Sequence, residues 1–333
     1  MHIFAGTYSL VSRAACRAKS ALIQAGAISA HRAPLPVLSV GNLTVGGSEK
    51  TPLVMEILAH LESRGIRPAL VSRGYRGLWE KSGGILSDGA RLLGGWRESG
   101  DEPFMIALRF PKAGVYLGKH RYKSCLAAAA AGFEAVVLDD GFQHVKLARD
   151  LDIVIHDPAS RAPLREGPAA LRRAGALLIK GSDPAIADRF RSRFPALPVF
   201  EYSVAVKGLV PLEGGGILPA DALRGRRISA LCGIARPERF FAALEGLGLA
   251  PEVRTSYPDH FAYPDAALTR TAAAVRGMDA IIVTEKDAVK LRGRSEALGG
   301  PPVYALRIGL ALPDAFLTLV VRAAASRKVS AGV

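Results

Sequence analysis

From residue 36 onward, short apolar runs rich in β-branched residues alternate with longer stretches rich in Ala and Leu. The short runs predict β-strands and the longer stretches predict helices. The predicted strands of this first series are Pro36–Val40, Ala69–Ser72, Gly114–Leu117, Ala135–Asp139, Asp152–His156 and Ala176–Lys180. The helices between them include Pro52–Arg64, Glu102–Phe110 and His120–Ala131. Because nearly continuous apolar strands alternate with helices, we expect an α/β fold with a parallel sheet sandwiched by helices.

A Pro-rich stretch, 194–211, follows this series and predicts a domain boundary or linker. The segments after it predict a second, smaller αβ domain. Its predicted elements are the strands Arg227–Cys232, Pro251–Thr255, Ala280–Thr284 and Pro302–Ile308 and the helices Glu238–Leu247 and Pro264–Val275. A final helical stretch, Pro313–Ala324, is expected to pack back on the first domain.

The composition narrows the class of protein and of partner. The 333 residues are 49% hydrophobic and 22% charged, which excludes a disordered chain. The formal net charge of +14 indicates an anionic partner: nucleic acid, an acidic membrane surface or a phosphorylated substrate. Cys16, Cys125 and Cys232 are too few and too widely spaced for a metal site or a disulfide framework, which favours a reducing compartment. No apolar run is long enough to predict a membrane-spanning helix.

The N-terminal segment carries no acidic residue before Glu49. Arg13 and Arg17 fall on one side of a predicted helix, opposite an apolar face. That face is formed by Tyr8, Val11, Ala15, Ala18, Leu22 and Ala25. Such a basic amphipathic helix can lie in a membrane interface, pack as an ordinary surface helix or serve as an organelle transit peptide.

A Gly-rich loop joins the first predicted strand to the first predicted helix and ends in Lys50-Thr51. This is the arrangement of a P-loop, in which backbone N–H groups hold phosphates, the Lys reaches the β/γ-phosphates and the Thr binds Mg²⁺. The pattern G-x-x-x-x-G-K-[ST] fails at two positions, and a plain Gly-rich turn is the alternative. The candidate nucleotide-binding residues are Thr44, Val45, Gly46, Gly47, Ser48, Glu49, Lys50 and Thr51, with Thr44 and Glu49 at the two glycine positions.

Paired carboxylates follow the strand Ala135–Asp139. An acid at this place after a P-loop is the usual metal-coordinating residue, so Asp139 and Asp140 are candidate Mg²⁺ ligands, with a solvated turn as the alternative. Asp101 and Glu102 open a predicted helix, where capping alone explains their presence. His144 and His260 stand in loops without a neighbouring residue at metal-ligand spacing.

Taken together, these segments resemble one family, the tetraacyldisaccharide 4′-kinases of lipid A synthesis. The resemblance covers about residues 36–290, and Glu49 stands where the family has Gly. The matching segments, in the family's order, are Val40-Gly41-Asn42-Leu43-Thr44-Val45-Gly46-Gly47, Lys50-Thr51-Pro52, Ser72-Arg73-Gly74-Tyr75, Gly100-Asp101-Glu102-Pro103, Asp139-Asp140-Gly141-Phe142-Gln143-His144, Leu171-Arg172-Arg173-Ala174, Asp259-His260-Phe261 and Thr284-Glu285-Lys286-Asp287-Ala288-Val289-Lys290.

The resemblance implies a kinase that uses ATP and Mg²⁺ to phosphorylate the 4′-hydroxyl of a membrane-embedded, acylated glucosamine disaccharide 1-phosphate. It implies peripheral binding to an anionic membrane surface, at the cytoplasmic face of a bacterial inner membrane, and favours the interfacial form of the N-terminal helix. The implied domains are a membrane-associating helix (1–30), a P-loop kinase domain (31–195), a linker (196–212), a smaller αβ domain (213–300) and a return strand with a C-terminal helix (301–333).

The resemblance also gives expected roles to individual residues. We expect Lys50 to hold the β/γ-phosphates and Asp101 to accept the hydroxyl proton, with His260 orienting Asp101 or tuning its pKa. The expected metal ligands are Thr51, Asp139, Asp140 and Glu102. The candidate substrate contacts are Arg73, Tyr75, Arg121, Gln143, His144, Arg172 and Arg173, and surface ion pairs are the alternative for the last two and for Arg121.

Other functions stay open on the sequence alone. A relic that binds the lipid A precursor without catalysis would explain Glu49 in the phosphate loop. Another P-loop αβ enzyme, such as a dethiobiotin-synthetase-like ligase or a metal-insertion GTPase, is a second alternative. The run Thr284-Glu285-Lys286-Asp287 comes close to a guanine-recognition motif, with one acid inserted. No nucleic-acid-binding module accompanies the basic charge, so nucleic acid is not an expected partner.

Overall fold

The computed structural model describes residues 29–45 and 49–327. These residues form two compact units, which divide after Val204 and after Gly309. Unit 1 comprises the chain up to Val204 and from Leu310 onward, and unit 2 comprises Ala205–Gly309. The expected N-terminal helix lies outside the described residues except at its last two positions, and so do Gly46, Gly47 and Ser48.

The strands occur at nearly all the predicted places. They are β1 (Val37–Asn42), β2 (Pro68–Ser72), β3 (Gly84–Asp88), β4 (Gly114–Leu117), β5 (Ala135–Asp139), β6 (Leu151–His156), β7 (Ala176–Lys180), β8 (Val199–Pro211), β9 (Ile228–Cys232), β10 (Val253–Ser256), β11 (Ala280–Thr284) and β12 (Val303–Ala311).

The helices of the described residues follow the same alternation. They are α1 (Lys50–Ser63), α2 (Trp79–Ser82), α3 (Trp96–Ser99), α4 (Asp101–Arg109), α5 (Arg121–Ala130), α6 (Pro184–Arg193), α7 (Pro237–Gly246), α8 (Asp265–Ala274), α9 (Glu285–Leu291) and α10 (Asp314–Ala324). Two 3₁₀ turns, Pro168–Arg173 and Ser295–Leu298, complete the set.

The sheet of unit 1 has the strand order β8-β7-β6-β1-β5-β2-β4-β3. Its neighbours are parallel except for β3, which pairs antiparallel with β4 at the edge. Because β1 lies between β5 and β6, the loop that follows β1 emerges at the middle of the carboxyl edge. This is the edge at which α/β sheets bind their ligands.

Helices cover both faces of this sheet, as predicted. Consecutive residues of β1 belong to different hydrophobic clusters, because side chains alternate between the faces of a strand. Leu38 packs with Leu58 of α1, whereas Val37 packs with Cys125 of α5. The C-terminal helix α10 places Phe316 in the same cluster as α1, which confirms that it packs back on the first unit.

Two strands were not predicted from the sequence. The stretch 194–211, predicted as a boundary or linker, does contain the division between the units, after Val204, but it also forms the 13-residue strand β8. Its prolines stand at positions 195, 198 and 211, so two precede the strand and the third ends it, which leaves its interior able to hydrogen-bond. The edge strand β3 was not predicted, because its short sequence Gly-Ile-Leu-Ser-Asp carries Gly and Ser and its pairing shifts register between Ile85 and Ser87.

Unit 2 is the smaller αβ unit, with the all-parallel strand order β10-β9-β11-β12. Its sheet is also covered on both faces, since Ile281 and Ile282 of β11 lie in different hydrophobic clusters. Helix α9 begins at the cap residue Thr284, whose hydroxyl accepts a bond from the N–H of Asp287. Within the described residues of both units, every helix is too short or too polar to span a bilayer.

Candidate active site at the phosphate loop

The phosphate loop is fixed at both of its described ends. Strand β1 is buried along its whole length, and α1 begins at Lys50 and buries Leu53 and five further apolar residues. The first half of the loop is tied to a distant segment: the carbonyl of Leu43 accepts from the N–H of Arg165 at 2.6 Å, and the N–H of Val45 donates to Pro163 at 2.8 Å. The phosphate-binding role of Gly46, Gly47 and Ser48 stays a prediction.

The ammonium of Lys50 lies at the carboxyl end of β1. Its Nζ is 3.2 Å from Oδ1 of Asn42, the last residue of β1, and 3.2 Å from Oδ1 of Asp140. The Lys50 side chain is only 13% exposed, and these two polar partners stabilise its charge. The amide of Asn42 also donates to the hydroxyl of Thr44 at 3.0 Å, which links the lysine to the first half of the loop.

Asp139 is the last residue of β5, and its carboxylate is buried. The hydroxyl of Ser72, at the end of the neighbouring strand β2, donates to Oδ2 of Asp139 at 3.1 Å. Burial, together with the negative charges of Glu102 and Asp140, raises the pKa of Asp139 to about 6, against the opposite effect of Lys50 and Ser72. Asp139 therefore lies in a negative site that a cation would stabilise.

Asp140 has the opposite electrostatic setting. Its backbone is left-handed, with φ of 50°, and the turn is closed by the N–H of Gly141 on the carbonyl of Val40. Nη1 of Arg165 contacts both carboxylate oxygens, at 2.8 and 3.1 Å. Burial by itself raises the pKa of Asp140, but the charges of Lys50 and Arg165 outweigh it and hold the pKa below its usual value. Asp140 thus stays ionised and positions the lysine.

Glu102 brings the start of α4 to the same edge. The hydroxyl of Thr51 donates to Oε2 of Glu102 at 2.9 Å, and the charge of Glu102 acts on Asp139. Asp101, the preceding residue, is buried at the first position of α4. Within the described ranges, no group of three or more His, Cys, Asp or Glu side chains could hold a metal ion by itself. A metal here needs other oxygen ligands as well, such as a hydroxyl, water or phosphates.

Arg121 opens α5, directly after β4, and is buried. Its Nη1 donates to the carbonyl of Gly118, whereas its Nε has no hydrogen-bond partner among the described residues. Burial lowers the pKa of Arg121, and the charges of Asp139 and Asp140 counter that effect. The guanidinium therefore belongs to the same electrostatic cluster as the paired carboxylates.

Of the two neighbouring arginines, Arg173 is part of a built structural contact. Its Nη1 and Nη2 donate to the two carboxylate oxygens of Glu166 at 2.8 and 2.7 Å. Its guanidinium also lies 3.9 Å from the ring centroid of Phe142 and donates to the Phe142 carbonyl. Arg172 is exposed. The geometry favours the ion-pair alternative for Arg173 and leaves Arg172 as a substrate candidate.

The remaining candidates of unit 1 lie around the same edge. Gln143 donates to the carbonyl of Asn42 at 3.0 Å, and its buried Oε1 has no partner among the described residues. His144 is half-buried, and its N–H closes a turn on Gly141. Arg73 pairs with Glu80 at 2.8 Å, and Tyr75 is 57% exposed.

His260 belongs to unit 2. Its backbone is left-handed, with φ of 64°, and its N–H donates to the carbonyl of Gly233. Its Nε2 lies 3.2 Å from Nζ of Lys286 and 3.8 Å from a carboxylate oxygen of Asp259. The ring is therefore held in a polar trio of its own unit, and its pairing with Asp101 stays a prediction.

Glu49 has partners that sequence reasoning did not anticipate. Its Oε1 is 2.6 Å from Nζ of Lys180, and its Oε2 accepts from the hydroxyl of Tyr202 at 3.3 Å. Sequence reasoning also assigned no role to Arg165. For Lys180, however, the sequence did contain an indication of its position. A lysine that ends an apolar strand of a parallel sheet lies at the ligand-binding edge, where an acid of the loop can reach it.

The comparisons with known proteins agree with this geometry. The family described as tetraacyldisaccharide-1-P 4′-kinase, LpxK, matches residues 2–325. A tetraacyldisaccharide 4′-kinase of Anaeromyxobacter dehalogenans strain 2CP-C is 38% identical over 320 residues, which is 89% of this chain and 83% of the relative. The one from Geobacter metallireducens is 39% identical over 313 residues, covering 90% of this chain and 91% of the relative.

A solved structure gives the same result at the level of the fold. The crystal structure of LpxK from Aquifex aeolicus in complex with ATP superposes with a TM-score of 0.76 at 29% identity. The match covers 95% of this chain and 97% of the Aquifex chain. The family model matches nearly the whole chain, and the two relatives are matched over 83% and 91% of their own length. Together with the lysine, threonine and paired carboxylates at the P-loop edge, these matches lead to one conclusion: the chain belongs to the tetraacyldisaccharide 4′-kinase family.

Proposed function

We propose that this chain transfers the γ-phosphoryl group of ATP to the 4′-hydroxyl of an acylated glucosamine disaccharide 1-phosphate in lipid A synthesis. One observation carries the proposal: Lys50, Thr51 and the carboxylates of Asp139 and Asp140 converge at one edge of the sheet, in a member of this family. Phosphoryl transfer depends mainly on positioning and on neutralising charge, and this set of groups suits both.

The structure does not favour the GTPase alternative, because the run that resembles a guanine-recognition motif has a structural role. The near match at Thr284–Asp287 is occupied by local structure of unit 2, since Thr284 caps α9 and Asp287 accepts from the N–H of Gly233 at 2.9 Å. The inserted acid, Glu285, pairs with Arg307 at 2.9 Å. These contacts account for the run without guanine recognition.

Mg²⁺ fits the oxygen groups at the edge. The raised pKa of Asp139 reports a buried carboxylate among negative neighbours, which is a setting that a divalent cation relieves. Mg²⁺ prefers oxygen ligands and is usually bound by one or two carboxylates together with substrate phosphates. Thr51, Asp139, Asp140 and Glu102 would hold it, directly or through water. When bound, the ion neutralises charge on the β- and γ-phosphates.

The side chains of this chain supply the other functions. Lys50, held by Asn42 and Asp140, is placed to contact the β/γ-phosphates. Arg121 offers a buried guanidinium whose Nε has no partner among the described residues, so we assign it a phosphate contact. Asp101 is the proposed acceptor of the 4′-hydroxyl proton, and the role of His260 stays a prediction from the family resemblance.

The surface beside α4 supports a lipid acceptor. The loop after β2 packs against the start of α4, since a Cβ added at Gly100 would lie 2.7 Å from the carbonyl of Tyr75. On this loop Tyr75 is 57% and Leu78 is 72% exposed, and the guanidinium of Arg76 lies 5.5 Å from the ring centroid of Tyr75. Apolar side chains with a neighbouring cation suit an acylated, anionic substrate.

The partner surface follows from the same chemistry. Because the acyl chains of the acceptor stay in a bilayer, we propose that the protein binds peripherally to an anionic membrane surface, the cytoplasmic face of a bacterial inner membrane. The net charge of +14 complements such a surface. The expected amphipathic helix at residues 1–30 would contribute to this binding.

The proposal is tested by radiolabelled transfer from [γ-³²P]ATP to the disaccharide 1-phosphate in detergent micelles. We expect label in the lipid fraction with Mg²⁺, and none when Mg²⁺ is removed with EDTA. A reaction with GTP in place of ATP tests the GTPase alternative, and we expect ATP to be preferred. Binding of the lipid without ATP hydrolysis or transfer would instead establish the non-catalytic relic.

A further inference from the structure

Glu49 occupies the position before the phosphate-loop lysine, where the P-loop pattern has Gly. Its φ of 50° is in the left-handed region, which side chains with a Cβ adopt at a cost that glycine avoids. At this one position the chain therefore has a left-handed backbone that glycine adopts more easily, and it adds a negative charge there. Both features call for a compensating contact.

Two neighbouring strands supply that contact. Lys180 ends β7, and Tyr202 is its register partner on β8. Nζ of Lys180 lies 2.6 Å from Oε1 of Glu49, and the hydroxyl of Tyr202 donates to Oε2 at 3.3 Å. The Glu49 side chain is 14% exposed and Lys180 is 30% exposed, so the pair is shielded from bulk water in part.

Tyr202 is suited to be a permanent donor. It is buried in the main hydrophobic cluster of unit 1, and burial together with the charge of Glu49 raises its pKa well above the ordinary value. The hydroxyl therefore keeps its proton at every pH at which the enzyme works. Both oxygens of Glu49 therefore have a donor, the ammonium of Lys180 at Oε1 and the hydroxyl of Tyr202 at Oε2.

We propose that Lys180 and Tyr202 form a receptor for the Glu49 carboxylate, and that this receptor lets a phosphate loop with an acid bind ATP. The inference rests on the proposed kinase function. Lys180 is a positioning residue: its charge cancels that of Glu49, and its contact holds the residue next to Lys50. Meanwhile Lys50 is directed to Asn42 and Asp140, so the two adjacent side chains serve different partners.

The size of the effect follows from Coulomb's law. A carboxylate about 8 Å from a phosphate charge, at an effective dielectric constant near 20, weakens binding by roughly 30-fold when nothing neutralises it. Removing the ammonium of Lys180 leaves the acid in that condition. We therefore expect Lys180→Met to raise KM for ATP by about 10–30-fold, with a smaller change in kcat, and the increase to shrink at high ionic strength.

The deciding experiment is a double-mutant cycle in the full chain, with KM and kcat measured at saturating lipid. In a Glu49→Gly background, Lys180→Met is expected to raise KM clearly less than it does when Glu49 is present, because only the direct attraction of the ammonium for the phosphates remains to be lost. Lys180→Arg keeps the charge and is expected to restore most of the ATP affinity that Lys180→Met loses. Tyr202→Phe removes one hydrogen bond and is expected to raise KM less than Lys180→Met does.

The outcomes separate this inference from the others. Unchanged KM in Lys180→Met, or an equal loss in the presence and absence of Glu49, would overturn it, since a merely structural lysine acts in both backgrounds. If Lys180→Met fails to fold, Tyr202→Phe and Lys180→Arg in the two Glu49 backgrounds carry the same cycle. Failure of the proposed function has a different signature, namely no phosphoryl transfer by the unsubstituted protein.

Discussion

Replacement of Arg173 by Met is expected to destabilise unit 1 strongly while leaving the nucleotide-binding groups in place. The guanidinium makes two hydrogen bonds to Glu166, at 2.7 and 2.8 Å, and lies over the ring of Phe142 at 3.9 Å. The side chains of Arg173 and Glu166 are 16% and 3% exposed, so solvent screens the pair little. The substitution leaves the Glu166 carboxylate buried without its cation.

The magnitude follows from that burial. Breaking a buried ion pair by removing one partner costs about 3–5 kcal/mol. In a unit of this size, each kcal/mol lowers Tm by about 2–4 °C, so Arg173→Met is expected to lower Tm by roughly 6–20 °C. The double variant Arg173→Met/Glu166→Leu removes both charges and is expected to regain most of the loss, because well-packed apolar residues replace buried pairs at little cost.

The assay is thermal unfolding of the full chain, followed by circular dichroism, with Arg172→Met as the matched control. Arg172 is exposed, so its substitution is expected to change Tm by no more than about 2 °C. As one of the substrate candidates, Arg172 is instead expected to show a raised KM for the lipid when it is replaced. If Arg173→Met has the same Tm as Arg172→Met and raises KM for the lipid, the structural assignment of Arg173 is wrong.

Three further outcomes are expected. Lys50→Ala abolishes phosphoryl transfer because it removes the cation held at the carboxyl edge of the sheet. The control Lys123→Ala, at an exposed position, keeps the activity. A transfer rate of Lys50→Ala above one-tenth of that of the unsubstituted protein contradicts the P-loop assignment. Asp101→Asn lowers kcat by about 10²–10⁴ with little change in KM for ATP, and a kcat within tenfold removes Asp101 as the base. Burial raises the pKa of Cys125 and of Cys232 to about 12, so mass spectrometry of the native protein after iodoacetamide at pH 8 finds both unmodified; rapid labelling at either shows that it is accessible.

The strands of the first series could be predicted from the sequence because they are buried on both faces of the sheet. β4, β5 and β7 have the bounds that their apolar runs predict. Such runs can be recognised from the local sequence alone, since their residues are apolar on both faces up to the charged residues that end β5 and β7. β8 gives a weaker signal, because its half-exposed residues alternate irregularly and prolines flank it. Tertiary pairing with β7 makes it a strand.

The site was predictable where its residues are close in sequence or end a strand. Lys50 and Thr51 follow from the loop pattern, and Asp139 follows from its place at the end of an apolar strand. Lys180 also ends a strand, which places it at this edge, but its contact with Glu49 and that of Tyr202 join residues 131 and 153 positions apart. No local pattern encodes these contacts, since they arise only once the order of β7 and β8 in the sheet is known.

The proposed reaction phosphorylates the 4′-hydroxyl of the acylated disaccharide 1-phosphate at the expense of ATP. The most direct test is the stoichiometry of a single reaction with Mg²⁺ and ATP, in which ADP is quantified and the phosphorylated position of the lipid is identified by mass spectrometry and NMR. We expect one phosphate on the 4′-oxygen for each ADP formed. ADP without phosphorylated lipid, phosphate on another oxygen, or lipid returned unchanged would contradict it.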